Sequence, residues 1–508
     1  MTESKGILKT AGFMAMATLL AKVCGLLREV LIAAFFSTGF EGTAYLTATQ
    51  LPMTLFDIVI GGVISASFIP IFNDILEKKD KKSAMAFANR FISMILTICI
   101  LISLVGIIFS DSLITLIAPD FDSQTHALAS QLSSIMFPMI IFTGLAFSFV
   151  GILQTFGEFN IPAIMSLISN VAVILYFPLF GKKFGVHGLS AAMLFSWSLQ
   201  VIVQIPSLKK FGFRLSPTVK IWNDDVKRAL LLALPMLVST WVQPLYSIVN
   251  TRIASGMDGA VSVLNYANRL YIVVTGVFSF VVTNLIFPKM SRANSAERLE
   301  ETNSLLVTSI KAVSMVILPI MAIFIILSRP IISVIYEHGK FDAVELTATV
   351  LSCYAFGMIG MSVNEVISKA FFSMQNSKTP MINAVISMIF NIVLAYILSA
   401  QFGVAGLALA TAGGSSINAL LNYCCMKKKR GKLFNNNDIA DMLKIIISAL
   451  LMAVTVVLVY IPLKGWATNG MLSSLITGVL CSIAGLIVYG AGLLATKESE
   501  ITGILRRE

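Results

Sequence analysis

Phe184–Met193 reads FGVHGLSAAM, and Phe402–Thr411, about 220 residues further on, reads FGVAGLALAT. The echo extends well beyond these ten residues. Thr47–Phe72 (TATQLPMTLFDIVIGGVISASFIPIF) is answered by Asn265–Met290 (NYANRLYIVVTGVFSFVVTNLIFPKM), and Asn170 in SLISNVAVIL by Asn391 in MIFNIVLAYIL. Self-similarity at one fixed spacing marks a structural unit used twice. Between the marks lie apolar runs, and at 1.5 Å per residue about 20 apolar residues span a bilayer. Each copy holds six such runs. An even number gives the two copies one orientation, related by an axis along the membrane normal.

Composition agrees with this membrane assignment. Of 508 residues, 57% are hydrophobic and only 12% charged, where a soluble chain carries about 25% charge. The expectation is an all-α polytopic membrane protein with fourteen transmembrane helices, from 10–36 to 470–495. The runs 125–154 and 225–254 each count as one span. Residues 1–215 form an N-terminal six-helix lobe, 216–430 a second one, and 431–508 an additional helix pair outside the repeat. Two parallel lobes are expected to leave a central cavity on their axis.

The net charge of +11 lies in short clusters between spans: Lys78, Lys79, Lys81, Lys82; Lys209, Lys210, Arg214; Lys427 to Arg430. Basic loops stay in the cytoplasm, so both termini are expected there. No aromatic-interleaved basic domain exists to read nucleic acid. The six cysteines lack zinc-like spacing and read as small hydrophobes, so no metal site is expected.

Charge inside the spans is the functional signal, because an ionisable group in lipid costs about 2.5–3.5 kcal/mol or more at a helix centre. Leu19–Phe36 (LLAKVCGLLREVLIAAFF) carries Lys22, Arg28 and Glu29. At 100° per residue these three and Gly25 fall within an arc of about 120°. Asp57 lies in the second span, Arg269 in the eighth, Glu365 and Lys369 in the tenth; Arg252 is near enough to a span end to snorkel. Mainly cationic candidates imply an anionic ligand, since guanidinium matches phosphate oxygens bidentately. Glu29 and Asp57 would keep binding weak enough for release, with Asp57 expected to pair with Lys22 or Arg28.

No catalytic motif, nucleotide loop or paired loop carboxylates appear. The glycine pairs in IGGV and AGGS read as close helix contacts. With no nucleotide site and no cofactor expected, transport would be driven by the membrane potential or a cation gradient.

Several stretches, AKVCGLLREVLIAAFF, NRLYIVVTGVFSFVVTNLIFPKMS, YEHGKF and FSMQNSKTPMINAVISMIFNIVLAYIL with FGVAGLALAT, resemble the MurJ/MviN family of lipid II flippases, from near the N-terminus to about residue 430. That family belongs to a superfamily shared with MATE and polysaccharide exporters. The resemblance implies fourteen helices in two lobes and movement of an undecaprenyl-type lipid-linked peptidoglycan precursor across the bacterial cytoplasmic membrane by alternating access. It further implies cell-wall synthesis machinery as a partner, cavity cations at Lys22, Arg28 and Arg269, an acidic partner at Glu29, a lipid-tail groove on the last two helices, and an ion site of the kind some relatives have, to which Asn391 and Thr411 offer oxygens here without a carboxylate to anchor the ion. The family's second-helix arginine pair is replaced here by Phe56 and Asp57, and its early aspartate by Thr43. The competing readings are an exporter of another lipid-linked oligosaccharide and a MATE-type antiporter, which would need an anionic cavity. An intramembrane glycosyltransferase would need external carboxylates or a metal motif.

Overall fold

The computed structural model describes residues 2–60, 64–281, 286–296, 298–468 and 470–495. Among them every regular element is helical, and no strand occurs. Among the described residues, eight helices are long and apolar enough to cross a membrane. A ninth span results if Ser123–Met136 and Met139–Thr155 are joined across their 41° bend. The chain is a multi-pass membrane protein. The bend interrupts the single helix expected over 125–154, and Pro138 at the junction is the reason. Proline has no N–H to donate, and its ring clashes with the preceding turn. The run expected at 225–254 is likewise divided into Asp224–Thr240 and Val242–Ala254, with Pro244 in the first turn of the second piece.

Two compact units divide the chain, Met1–Ser262 and Val263–Glu508. In the first, the opening helix Thr2–Phe36 packs along Asn160–Tyr176, Phe40–Val59 along Ser123–Met136, and Lys81–Ile108 along Met139–Thr155. A fully buried aromatic cluster helps hold this unit together, with Phe68 5.4 Å from Phe72, 5.7 Å from Phe87 and 5.0 Å from Phe91, ring centre to ring centre. In lipid, helices gain little from hydrophobicity against one another and rely on close packing. Gly144, whose Cβ would stand 2.7 Å from Cys99 Sγ, is one place where that closeness requires glycine.

In the second unit Lys378–Phe402 pairs with Val404–Arg430, and Asn436–Ala467 with Met471–Ala495; the former of this last pair also lies along Leu299–Ile326. The repeated FGV tripeptide now has a physical meaning. Gly185 (φ 52°, ψ −142°) and Gly403 (φ 56°, ψ −134°) take the same backbone conformation, each turning the chain from one helix into the next. Residues with a Cβ avoid that region. Three residues on, a Cβ at Gly188 would lie 2.4 Å from the Tyr176 hydroxyl, and one at Gly406 2.1 Å from Leu398 O. The motif is therefore a glycine turn followed by a glycine contact, made twice. Of the two glycine pairs, Gly61–Gly62 lies outside the described residues. Gly414 of the other packs against Asn391, 2.8 Å from its amide nitrogen by the same construction.

Candidate cationic site

The opening helix carries its charges into the packed side of the first unit. Arg28 Nη1 donates to Asn170 Oδ1 at 2.9 Å, and Nη2 to Glu29 Oε1 at 2.6 Å. Glu29 is 4% exposed. Asn170, buried on Asn160–Tyr176, also donates its amide to Ala21 O at 3.1 Å. One asparagine thus joins the backbone of the opening helix to the guanidinium about two turns on. Gly25, between the two, leaves room for the amide, its Cβ position being 3.4 Å from Asn170 Nδ2. The arrangement fixes the plane of the guanidinium while Arg28 Nε stays buried without a hydrogen-bond partner.

Lys22, two turns before Glu29, is half-buried. Asp57 is exposed on Phe40–Val59. Both Nη groups of Arg28 are engaged by Asn170 and Glu29, and Asp57 forms no ion pair among the described residues. The expected pairing of Asp57 with Lys22 or Arg28 is absent from this structure. The adjacent Glu29 is the physical reason: it meets the guanidinium in a 2.6 Å charge-assisted hydrogen bond without crossing to another helix.

Arg269 is exposed on Ala260–Val281 in the second unit. Glu365 and Lys369 pair with each other at 3.6 Å, one helical turn apart, and the ammonium lies 5.9 Å from the Phe287 ring centre. Arg252 donates to Leu116 O at 2.8 Å. At the proposed ion positions, Asn391 Nδ2 donates to Ala410 O at 2.8 Å while its Oδ1 is buried and accepts no hydrogen bond. Thr411 Oγ1 donates to Leu407 O at 2.9 Å.

Two polar clusters in the second unit escaped the sequence reading. Asn383 Nδ2 donates to Asn422 Oδ1 (2.8 Å), and Asn422 Nδ2 donates in turn to Asn364 Oδ1 (2.7 Å) and Asn418 Oδ1 (3.2 Å). Lys311, 5% exposed, faces Asp438 at 3.2 Å and Asp441 at 3.3 Å. A lone lysine inside an apolar run was the available signal, and its acidic partners begin the helix after the repeat ends.

Comparison with known proteins places this arrangement in a family. The family model described as "Lipid II flippase MurJ" matches residues 32–477. The lipid II flippase MurJ of Burkholderia cenocepacia is 29% identical over 436 residues, 84% of each chain. The probable lipid II flippase MurJ of Bdellovibrio bacteriovorus is 30% identical over 443 residues, 84% of this chain and 83% of that one. Among solved structures, lipid II flippase MurJ in an inward closed conformation superposes with a TM-score of 0.79 at 26% identity, covering 95% of this chain and 99% of that one. An inward-facing multidrug resistance MATE transporter gives 0.68 at 17% identity over 83% and 98% of the two chains, a likeness of fold alone.

Proposed function

The chain belongs to the MurJ family of lipid II flippases, and we propose that it moves lipid II, the lipid-linked peptidoglycan precursor, from the inner to the outer leaflet of the bacterial cytoplasmic membrane by alternating access, for cell-wall synthesis. The observation that carries this proposal is the family match across residues 32–477. The family is one of transporters rather than enzymes. The cargo is taken to be undecaprenyl-linked, and the partners to be the cell-wall synthesis machinery on either side of the membrane.

The fourteen-span topology, with both termini and the loops 75–86, 207–224 and 427–439 in the cytoplasm, belongs to the same proposal. Its support is the placement of the basic clusters. We assign the cargo's phosphates to Lys22 and Arg28 in the first unit and to Arg269 in the second, with Glu29 and Asp57 moderating the affinity. Arg28 is the best supported, because Asn170 and Glu29 fix the orientation of its guanidinium and a planar fork suits phosphate; since both Nη groups are engaged in this structure, the phosphate is proposed to displace one of these two partners. The lipid tail is assigned to the helix pair within 431–508. Energy is proposed to come from the membrane potential or a cation gradient, with the unengaged Asn391 Oδ1 and Thr411 as oxygen ligands.

Depleting the protein in its host and measuring lipid-linked intermediates tests the cargo. Accumulation of lipid II on the inner leaflet is expected. Normal lipid II distribution with accumulation of another lipid-linked glycan would transfer the assignment to that glycan.

A further inference from the structure

The helix pair Asn436–Ala467 and Met471–Ala495 meets Leu299–Ile326 through apolar side chains, Ile445, Ala449, Met452 and Val456 among them, with Met315, Leu318 and Ile323 opposite. Apolar contacts between helices in lipid specify position weakly, because lipid tails are as apolar as the side chains. A slip by one turn would replace one set of such contacts with a similar set.

Polar groups interrupt this interface at two levels. Lys311 Nζ lies between Asp438 Oδ1 (3.2 Å) and Asp441 Oδ2 (3.3 Å), and Lys444 Nζ meets Asp441 Oδ1 at 3.0 Å. Two ammoniums thus face two carboxylates, and the cluster is neutral. Asp438 is itself fixed: its backbone N–H donates to Asn435 Oδ1 (2.8 Å), and its Oδ2 accepts from Asn435 N (3.1 Å), completing a capping box. One turn beyond Lys311, Met315 O accepts a 2.6 Å hydrogen bond from the Tyr489 hydroxyl of the last helix. One face of Leu299–Ile326 is therefore bonded to both helices of the pair, within a single turn.

We propose that Lys311 is a positioning residue: with Asp438, Asp441 and the Tyr489–Met315 bond, it sets the register of the C-terminal helix pair on Leu299–Ile326, so that the pair travels with that helix during transport. A buried ion pair adds little net stability over apolar packing, and its best attested role is to fix register. Shifting the pair by a turn would bury unpaired charges, an error that the apolar seam alone does not penalise. The transport part of this inference rests on the flippase reading; the register part does not.

The test is a distance measurement between spin labels at exposed Val316 and Leu450 in a cysteine-free background, with lipid II flipping measured in parallel. The apolar triple variant Lys311→Met, Asp438→Asn, Asp441→Leu is expected to give a broadened or multiple distance distribution and flipping slower by about tenfold. The exchanged variant Lys311→Asp, Asp438→Asn, Asp441→Lys, Lys444→Gln restores one opposite pair, keeps the cluster neutral by removing the cation that stands 3.0 Å from position 441, and is expected to recover the single narrow distance of the parent. A single parental distance in the apolar variant overturns the proposal. So does an exchanged variant that fails to fold or stays broad, and this second arm decides the matter where the apolar variant does not accumulate. A narrow distance lost and regained while neither variant nor parent flips lipid II would uphold the register role and count against the flippase reading.

Discussion

Replacing Asn170 by alanine removes the link between the opening helix and Asn160–Tyr176 without touching a charge. Two bonds disappear, Asn170 to Ala21 O (3.1 Å) and Arg28 Nη1 to Asn170 Oδ1 (2.9 Å). An interhelical bond of the first kind contributes about 0.6 kcal/mol in a membrane protein. A bond from a charged donor contributes about 1.5–3 kcal/mol. Because Arg28 Nε already lacks a hydrogen-bond partner, the variant leaves the guanidinium with Glu29 as its one hydrogen-bond acceptor among the described residues. The expected loss is about 2–4 kcal/mol in total. Asn170→Asp keeps the stronger of the two bonds by supplying a carboxylate to Arg28, while it loses the donor to Ala21 O and sets a carboxylate oxygen near that carbonyl, so it is expected to lose less than Asn170→Ala. Thermal unfolding in detergent and complementation of a depleted host measure the two consequences. Asn170→Ala is expected to melt earlier than Asn170→Asp and to transport more weakly. Equal melting of both variants and the parent, with full complementation, would refute the claim that Asn170 orients Arg28.

Two further predictions follow from local structure. A Cβ at Gly403 meets nothing within 4 Å, so Gly403→Ala is charged only with its φ of 56°, about 1–3 kcal/mol; Gly406→Ala, 2.1 Å from Leu398 O, should be the worse of the two in a thermal melt. On the loop before Ser123–Met136, bonds from the Thr125 hydroxyl first, then from the Thr125 and Gln124 N–H groups, hold the Asp122 carboxyl below the usual aspartate range. Because its folded pKa is depressed, this cap is at full strength above the unfolded value of about 3.9 and is lost as pH falls through the lowered folded value. Asp122→Ala should therefore raise hydrogen exchange at Gln124 and Thr125 near neutral pH, by about 1 kcal/mol of local stability, and abolish the acid-side change seen in the parent.

The repeat makes one local feature of this fold readable from the sequence. FGV at both copies fixes a glycine turn that the two units make in the same conformation. Arg28 and Glu29 were legible as intramembrane charges because nothing apolar explains them. Their geometry was not: Asn170 stood out as a repeat mark, but its bond to Arg28 joins residues 142 apart in sequence, and periodicity carries no information across that separation. Lys311 was passed over for a related reason. Its partners Asp438 and Asp441 lie on the first turns of a helix outside the repeat, so neither symmetry nor spacing pointed to them. The division of 125–154 was signalled by Pro138, whose effect on a long apolar run depends on whether neighbouring helices accept a 41° bend.

The central claim is that the chain flips lipid II and that Arg28 engages its phosphates. Purified protein in liposomes carrying labelled lipid II in one leaflet tests it, with transfer to the other leaflet measured for the parent and for Arg28→Ala at matched folded content. Transfer by the parent above protein-free vesicles, falling to the protein-free level in Arg28→Ala and recovering partly in Arg28→Lys, is the predicted result. No transfer by the parent, or an Arg28→Ala rate equal to the parent's, would contradict it.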